Sequence, residues 1–117
     1  GKVMESKAQY RKGCVRTVIL KMLSERLMYG YEIAQELAKR SENVFALGQG
    51  TLYPLLYSLE RKKLIAAVKR VKDKASGRER LFYGITPKGK QILDQDIMTW
   101  LEIVKGMSLV LKGQYEY

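Results

Sequence analysis

The residues best able to do chemistry are nine lysines and arginines between positions 61 and 80, where only two acidic residues accompany them. These basic residues are Arg61, Lys62, Lys63, Lys69, Arg70, Lys72, Lys74, Arg78 and Arg80. Ammonium and guanidinium groups at this density neutralise phosphates and release the counterions of a nucleic acid. The segment therefore predicts a phosphate-binding surface, with a merely solvated basic hairpin as the alternative interpretation.

The positive charge lies in one part of the chain. All of the net charge of +10 is carried by residues 1–86, because residues 87–117 hold four basic and four acidic residues. A basic body followed by a neutral segment is typical of a polyanion-binding unit joined to a segment with another task. We therefore expect a binding domain over residues 1–86 and a separate element over residues 87–117.

Histidine and cysteine, which are common in catalytic and metal sites, are nearly absent from the sequence. The chain has no histidine and one cysteine, Cys14, which lies on a segment interpreted as a core helix. Asp94 and Asp96 are two positions apart on a predicted helix, so their side chains point about 200° apart. No nucleophile–base pair, paired carboxylates or zinc ligand set results. We predict neither an enzyme nor a bound metal or cofactor.

The distribution of apolar residues indicates where in the cell the protein is expected. No apolar run approaches the roughly 18 residues that a membrane span needs. The N-terminal residues GKVMESKAQYRKG lack the apolar region of a secretory signal. We expect a cytoplasmic protein without a membrane partner.

Helical periodicity indicates three short helices. Apolar residues recur every three to four positions over residues 11–26 and again over residues 31–40, with a turn at Gly30 between them. In the third segment one apolar stripe is formed by Leu52, Leu55, Leu56 and Leu59. This stripe predicts a helix that begins within two residues of Thr51 and is held against the core.

The opposite face of the third helix is left free. At about 100° per residue, the positions on or near that face are Gly50, Tyr53, Pro54, Tyr57 and Arg61. With Gln49 and Thr51 at the start of the helix, this face offers amide and hydroxyl groups that bond to base edges or phosphates. The competing interpretation is that Tyr53 and Tyr57 are ordinary half-buried tyrosines.

After the third helix the spacing of apolar residues changes from the helical period to the alternation of strands. Residues 65–72 and 80–85 have the composition and alternation of strands, and the basic loop between them contains a Ser-Gly turn signal. Gly84, inside the second strand, suggests a bulge. Thr86 and Pro87 then provide a helix N-cap and a first helical position.

The last predicted helix, over residues 87–112, carries a regular apolar repeat. The residues Leu93, Ile97, Trp100, Val104, Met107 and Leu111 are spaced by alternating steps of four and three, and Leu101 widens the stripe. A repeat of 3.5 residues is the signature of a helix that packs along a partner helix. We predict a homodimer formed through this helix, and the sequence of residues 113–117 carries no readable signal of a role.

These elements define a fold class. The chain is predicted to be mostly α with a small β-hairpin wing (α+β), as a winged helix-turn-helix with a long C-terminal dimerisation helix. In such folds one helix lies in the major groove of DNA and the hairpin reaches the backbone beside it.

Three motifs resemble one known family. The run GTLYPLLYSLERKKLI at 50–65 is similar to the signature of PadR-type transcriptional regulators. The run MYGYEIAQEL, from Met28, resembles the family's second-helix element, and GRERLFYGITPKG, from Gly77, resembles its wing-to-helix passage. Lys63 departs from the pattern, since many members have glycine there.

The resemblance implies a bacterial repressor that binds roughly palindromic promoter DNA as a dimer and is released by a small aromatic compound. Trp100 matches a tryptophan that, in the short-tailed branch of the family, lines a pore where planar compounds stack. The residues expected to contact DNA are Tyr31, Gln49, Thr51, Tyr53, Pro54, Tyr57, Arg61, Lys62, Lys74, Arg78 and Arg80. The alternative function is a winged-helix module that mediates protein or RNA contacts without operator recognition.

Overall fold

The computed structural model of the chain describes residues 2–112, with side chains from Lys7 onward. The tail, residues 113–117, lies outside the described residues. Within the described range the elements are α1 (Lys2–Arg11), α2 (Val15–Glu25), β1 (Met28–Tyr29), α3 (Gly30–Arg40), α4 (Gln49–Arg61), β2 (Ile65–Lys72), β3 (Glu79–Ile85) and α5 (Pro87–Val110). The predicted class, mostly helical with a small β-hairpin wing, is confirmed.

Two elements were not predicted. Helix α1 has no apolar stripe in its sequence KVMESKAQYR, so helical periodicity could not indicate it. Strand β1 has two residues and exists through its pairing with β3, in which Met28 faces Tyr83 and Tyr29 faces Phe82. The turn expected at Gly30 is also wrong, because Gly30 is the first residue of α3 and the chain enters that helix from extended backbone at Tyr29.

The sheet is antiparallel in the order β1-β3-β2. The bulge suggested by Gly84 is real but lies in the neighbouring strand, where the register shifts between Ala67 and Lys69. Gly84 is needed for close approach instead: a Cβ there would lie 2.7 Å from Leu27 Cδ2 and 3.3 Å from Val68 Cγ2. The glycine thus lets the bulged strand and Leu27 close over β3.

The core is formed by α2, α3, α4, the inner face of the sheet and the first turns of α5. The largest fully buried side chains are Ile19, Leu20, Met28, Ile33, Leu52, Leu56, Leu59 and Ile65. Three of the four leucines of the predicted α4 stripe are in this set, and the fourth, Leu55, is half-buried. Burial of each leucine contributes about 1.5–3 kcal/mol, which holds one side of α4 inward.

The start of helix α5, which follows β3 in the chain, packs against residues 63–64 at the end of α4. The Thr86 hydroxyl accepts the Gly89 amide at 3.0 Å and donates to the Lys63 carbonyl at 2.7 Å, so the predicted N-cap is confirmed. Gly89 packs so closely that a Cβ would lie 2.1 Å from the Leu64 carbonyl oxygen. The start of α5 is thereby fixed to the winged helix domain.

Candidate nucleic-acid interface

The outward face of α4 is exposed over its first turns. The helix begins at Gln49 after an extended Gly48, and the exposed residues of this face are Gln49, Gly50, Thr51, Pro54 and Tyr57, followed by Arg61 at the end. Pro54 lies in the second turn, where it has no amide hydrogen to donate to the Gly50 carbonyl. The first two turns therefore present small and polar groups to the outside.

The two tyrosines of this face differ in environment. Tyr57 is 52% exposed, whereas Tyr53 is half-buried and packs against the core. Their ring centroids are 6.3 Å apart at an interplanar angle of 39°. The prediction that both point outward holds for Tyr57, and the alternative of a half-buried tyrosine describes Tyr53.

Helix α3 carries Tyr31 in its first turn. Tyr31 is exposed, and its hydroxyl accepts a hydrogen bond from Gln35 Nε2 at 2.8 Å. Glu32 fixes the start of the helix, since its carboxylate accepts from the Tyr29 amide at 3.3 Å and from Arg26 Nη1 at 3.2 Å. The Tyr31 hydroxyl is thus held on a rigid first turn.

The tip of the wing is a turn organised by Asp73. Its carboxylate accepts from the Ala75 amide and from the Ser76 hydroxyl, each at 3.0 Å. These hydrogen bonds, the backbone one first, lower the pKa of Asp73 from its usual value. Among the described side chains Lys74 and Arg78 enter no ion pair, so their charges at the tip are uncompensated.

Next to the tip, two arginines of the wing strands pair with acidic residues. Arg70 pairs with Glu79 at 2.9 Å. Arg80 pairs with Asp73 at 3.3 Å, and its guanidinium carbon lies 4.8 Å from the centroid of the Tyr29 ring. Arg80 is therefore engaged by two groups of its own chain although it is exposed, unlike Arg78, with which it was predicted to contact DNA.

Arg61 and Lys62 lie at the far end of α4. The thirteen residues of the helix correspond to roughly 20 Å at 1.5 Å per residue, so these cations are not brought together with Gln49 and Thr51. The Lys62 carbonyl instead accepts from Lys88 Nζ at 3.2 Å. Lys63 follows in the left-handed region, with φ of 62°.

The predicted seam on α5 divides into two parts. Leu93 is 6% exposed and belongs to the core of its own chain, and Ile97 is half-buried against it. The remaining members, Trp100, Leu101, Val104, Met107 and Leu111, are all exposed.

Beside the exposed part of α5 is an open cavity of about 680 Å³ between α2, α3 and α5. Trp100, Ile103, Val18 and Phe45 contribute apolar side chains to its lining. Cys14 also lines it, immediately before α2 and half-buried, so the placement of this thiol in the core was wrong.

Two contacts between distant residues could not be predicted from the sequence. Arg16 and Asp96 form an ion pair although 80 positions separate them. The Arg80 guanidinium lies over the ring of Tyr29. Neither has a local signal, since each depends on the packing of distant elements.

The described side chains contain no group of three or more acidic, cysteine or histidine residues arranged to hold a metal ion. No helix within residues 2–112 has the length and hydropathy that crossing a membrane requires.

Comparison with known proteins identifies the family. The model of the transcriptional regulator PadR-like family matches residues 19–95. A transcriptional regulator of Mycobacterium tuberculosis is 32% identical over 106 residues, covering 91% of each chain. A solved transcriptional regulator of Clostridium thermocellum superposes with a TM-score of 0.77 at 28% identity, covering 89% of this chain and 99% of the other.

A PadR-like transcriptional regulator of Bacillus cereus superposes with a TM-score of 0.73 at 31% identity, over 91% of this chain and 99% of its own. Sequence, motifs and fold thus agree over most of the chain. The protein belongs to the PadR-like family, whose members are transcriptional regulators and not enzymes.

Proposed function

We propose that the protein is a cytoplasmic homodimeric repressor that binds a palindromic promoter site through α4 and the wing. The observation that carries this proposal is the orientation of α4. Leu52, Leu56 and Leu59 are buried on one side, which leaves Gln49, Thr51 and Tyr57 exposed on the other. Such groups are suited to hydrogen bonds with base edges in the major groove.

The wing supplies the electrostatic part of the proposed binding. Strand β2 of the hairpin packs against α4, and on β3 burial and the nearby Glu60 of α4 raise the pKa of Tyr83. The hairpin carries the uncompensated Lys74 and Arg78 at its tip, and these reach phosphates while α4 sets the register. Tyr31, on the first turn of α3, is the third element of the surface.

The C-terminal half of α5 supports dimerisation. From Met98 to Leu111 the only charged residues are Glu102 and Lys105, yet every side chain in this stretch is exposed in the single chain. A helix that is apolar on nearly all sides is normally buried. In a twofold dimer each such helix packs on its counterpart, which covers the exposed apolar side chains of both.

In this proposal residues 1–86 form the winged helix-turn-helix DNA-binding domain, and residues 87–117 hold the subunits together. The first turns of α5 also complete the core of their own domain. The twofold axis then places the two α4 helices about 34–36 Å apart, one turn of duplex.

The cavity is the proposed site of release by a small planar aromatic compound. Its volume of about 680 Å³ lies within the range of small-molecule sites, and Trp100, 51% exposed, offers a ring for stacking. Because Trp100 is the single tryptophan of the chain, quenching of its fluorescence measures binding directly. A compound that quenches without weakening DNA binding contradicts the proposed release.

The experiment that tests the core proposal is selection of duplexes from a random pool, followed by titration of the selected site at several salt concentrations. We expect a palindromic consensus and a log–log slope of about −0.9 per neutralised phosphate. Replacing Tyr57 with alanine is expected to reduce selectivity among duplex sequences, because the substitution removes the ring and hydroxyl from the exposed face of α4. No enriched sequence and no salt dependence would indicate the alternative, a winged-helix module for protein contacts.

A further inference from the structure

One cluster of side chains joins α5 to the rest of the chain through charge. Arg16 Nε lies 2.8 Å from Asp96 Oδ2 and Arg16 Nη2 lies 2.7 Å from Asp96 Oδ1, which makes the pair bidentate. The Thr17 hydroxyl donates to the same Oδ2 at 3.4 Å. The Asp96 side chain is 17% exposed, and both of its carboxylate oxygens accept hydrogen bonds.

The position of this cluster along α5 is specific. Before it Leu93 is buried, and directly after it Ile97 is half-buried. From Met98 to Lys112 every residue is exposed. The cluster therefore occupies the last turn at which α5 is anchored to its own domain, and among the ion pairs of residues 7–112 it alone involves α5.

The chemistry of the pair fixes an orientation. A guanidinium and a carboxylate that share two parallel hydrogen bonds must remain nearly coplanar, so the contact resists rotation as well as separation. Apolar contacts such as those of Ile97 tolerate small rotations because dispersion is not directional. Together with the Thr17 hydrogen bond, the pair is thus the directional contact at this crossing, and it adds to the fixed start of α5 in specifying the direction in which the helix leaves the domain.

We infer that Arg16, Thr17 and Asp96 are positioning residues that set the angle between α5 and the winged helix domain, and through it the distance between the two α4 helices of the dimer. This inference rests on the proposed function. Base pairs follow one another at ~3.4 Å. Because α4 belongs to the same rigid domain as Arg16, a change in this angle displaces α4 along the duplex, and a displacement of about 3.4 Å is enough to change the preferred spacing by one base pair.

The test uses the full-length protein and the selected operator with zero, one or two base pairs inserted or deleted at its centre. Asp96→Asn keeps the shape of the side chain but removes its negative charge and with it the bidentate, charge-assisted pair with Arg16. Glu25→Gln is the matched control, since it breaks the bidentate Arg40–Glu25 pair that joins α2 to α3 within the domain. Affinity for a single half-site and the sedimentation coefficient are measured for each variant.

For wild type and Glu25→Gln we expect a sharp optimum of affinity at one spacing. For Asp96→Asn the ratio between the best spacing and its neighbours is expected to fall about fivefold or more, at the lower end of typical coupling between sites. Half-site affinity and dimer mass remain unchanged. The double replacement Arg16→Asp with Asp96→Arg, which reverses the pair, is expected to recover part of the preference.

Three results would overturn the inference. They are an unchanged spacing ratio in Asp96→Asn, an equal loss in Glu25→Gln, and dissociation of Asp96→Asn into monomers, which would assign the cluster to subunit contact. A wild-type protein that selects no duplex at all would instead contradict the proposed function itself.

Discussion

The first residue of α3, Gly30, lies directly against the ring of Tyr53 on α4. A Cβ built on Gly30 would be 2.6 Å from the Tyr53 hydroxyl oxygen and 2.8 Å from two of its ring carbons. The two helices of the helix-turn-helix therefore meet where one has no side chain and the other has a large one. The half-burial of Tyr53 follows from this contact.

Replacing Gly30 with alanine is expected to destabilise the fold. The added methyl group must displace an aromatic ring packed against the core, and overpacking of this kind typically costs about 1–3 kcal/mol. Urea unfolding followed by circular dichroism measures the loss. Gly50→Ala is the control, because nothing lies within 4 Å of a Cβ at that helical position, and there alanine is expected to gain roughly 0.5–1 kcal/mol.

A second substitution identifies the ring as the cause. In the Tyr53→Phe background the hydroxyl is gone but the ring carbons remain, so Gly30→Ala is expected to cost less without becoming neutral. If Gly30→Ala proves as stable as Gly50→Ala, the Tyr53 ring does not determine the approach of α3 to α4.

Lys63→Gly is expected to stabilise the protein. Lys63 has φ of 62°, in the left-handed region that costs a residue with a Cβ about 1 kcal/mol relative to glycine. It stands just beyond the end of α4, a position where helices commonly have glycine. Urea unfolding should show a gain of about 1 kcal/mol, and Lys62→Gly, at φ of −78°, should show none. Equal effects would mean that the backbone of Lys63 is not strained.

The parts of the fold that were predictable are those set by local sequence. The leucine stripe of α4, the two wing strands and the Thr86 cap each follow from spacing or from one residue type. Contacts between distant segments could not be predicted. The Arg16–Asp96 pair, the pairing that creates β1, and the half-burial of Tyr53 against Gly30 all depend on how separate elements meet.

The turn at the wing tip is expected to loosen as pH falls. The pKa of Asp73 is lowered in the fold by hydrogen bonds from the Ala75 amide and the Ser76 hydroxyl. The ionised Asp73 therefore stabilises the folded turn at pH values above the ordinary aspartate pKa. This stabilisation is lost as the pH falls through the lower pKa that Asp73 has in the fold. Amide chemical shifts of Ala75, followed by NMR against pH, measure this transition.

Ser76→Ala provides the comparison for this titration. It removes one hydrogen bond to the Asp73 carboxylate, so the midpoint is expected to move up towards the usual aspartate range. A midpoint identical in both proteins would show that the Ser76 hydroxyl does not stabilise the ionised form.

Arg78 and Arg80 are expected to have different effects on DNA binding, although they are two residues apart. Arg78 enters no ion pair among the described side chains, so Arg78→Ala removes one free cation and should reduce the salt slope by about 1. Arg80 is already engaged by Asp73 and by the Tyr29 ring. We therefore expect Arg80→Ala to leave the slope nearly unchanged, while the amide signals around Asp73 and Tyr29 shift because both contacts are lost.

The measurement is the affinity for the selected operator at several salt concentrations, together with amide spectra of the free protein. Arg80→Lys is a useful third variant, because it keeps the charge but loses the planar group that lies on Tyr29. If the arginine acts by holding the wing, Arg80→Lys should resemble Arg80→Ala. A slope that falls by the same amount in Arg78→Ala and Arg80→Ala would mean that Arg80 leaves Asp73 on binding and contacts a phosphate.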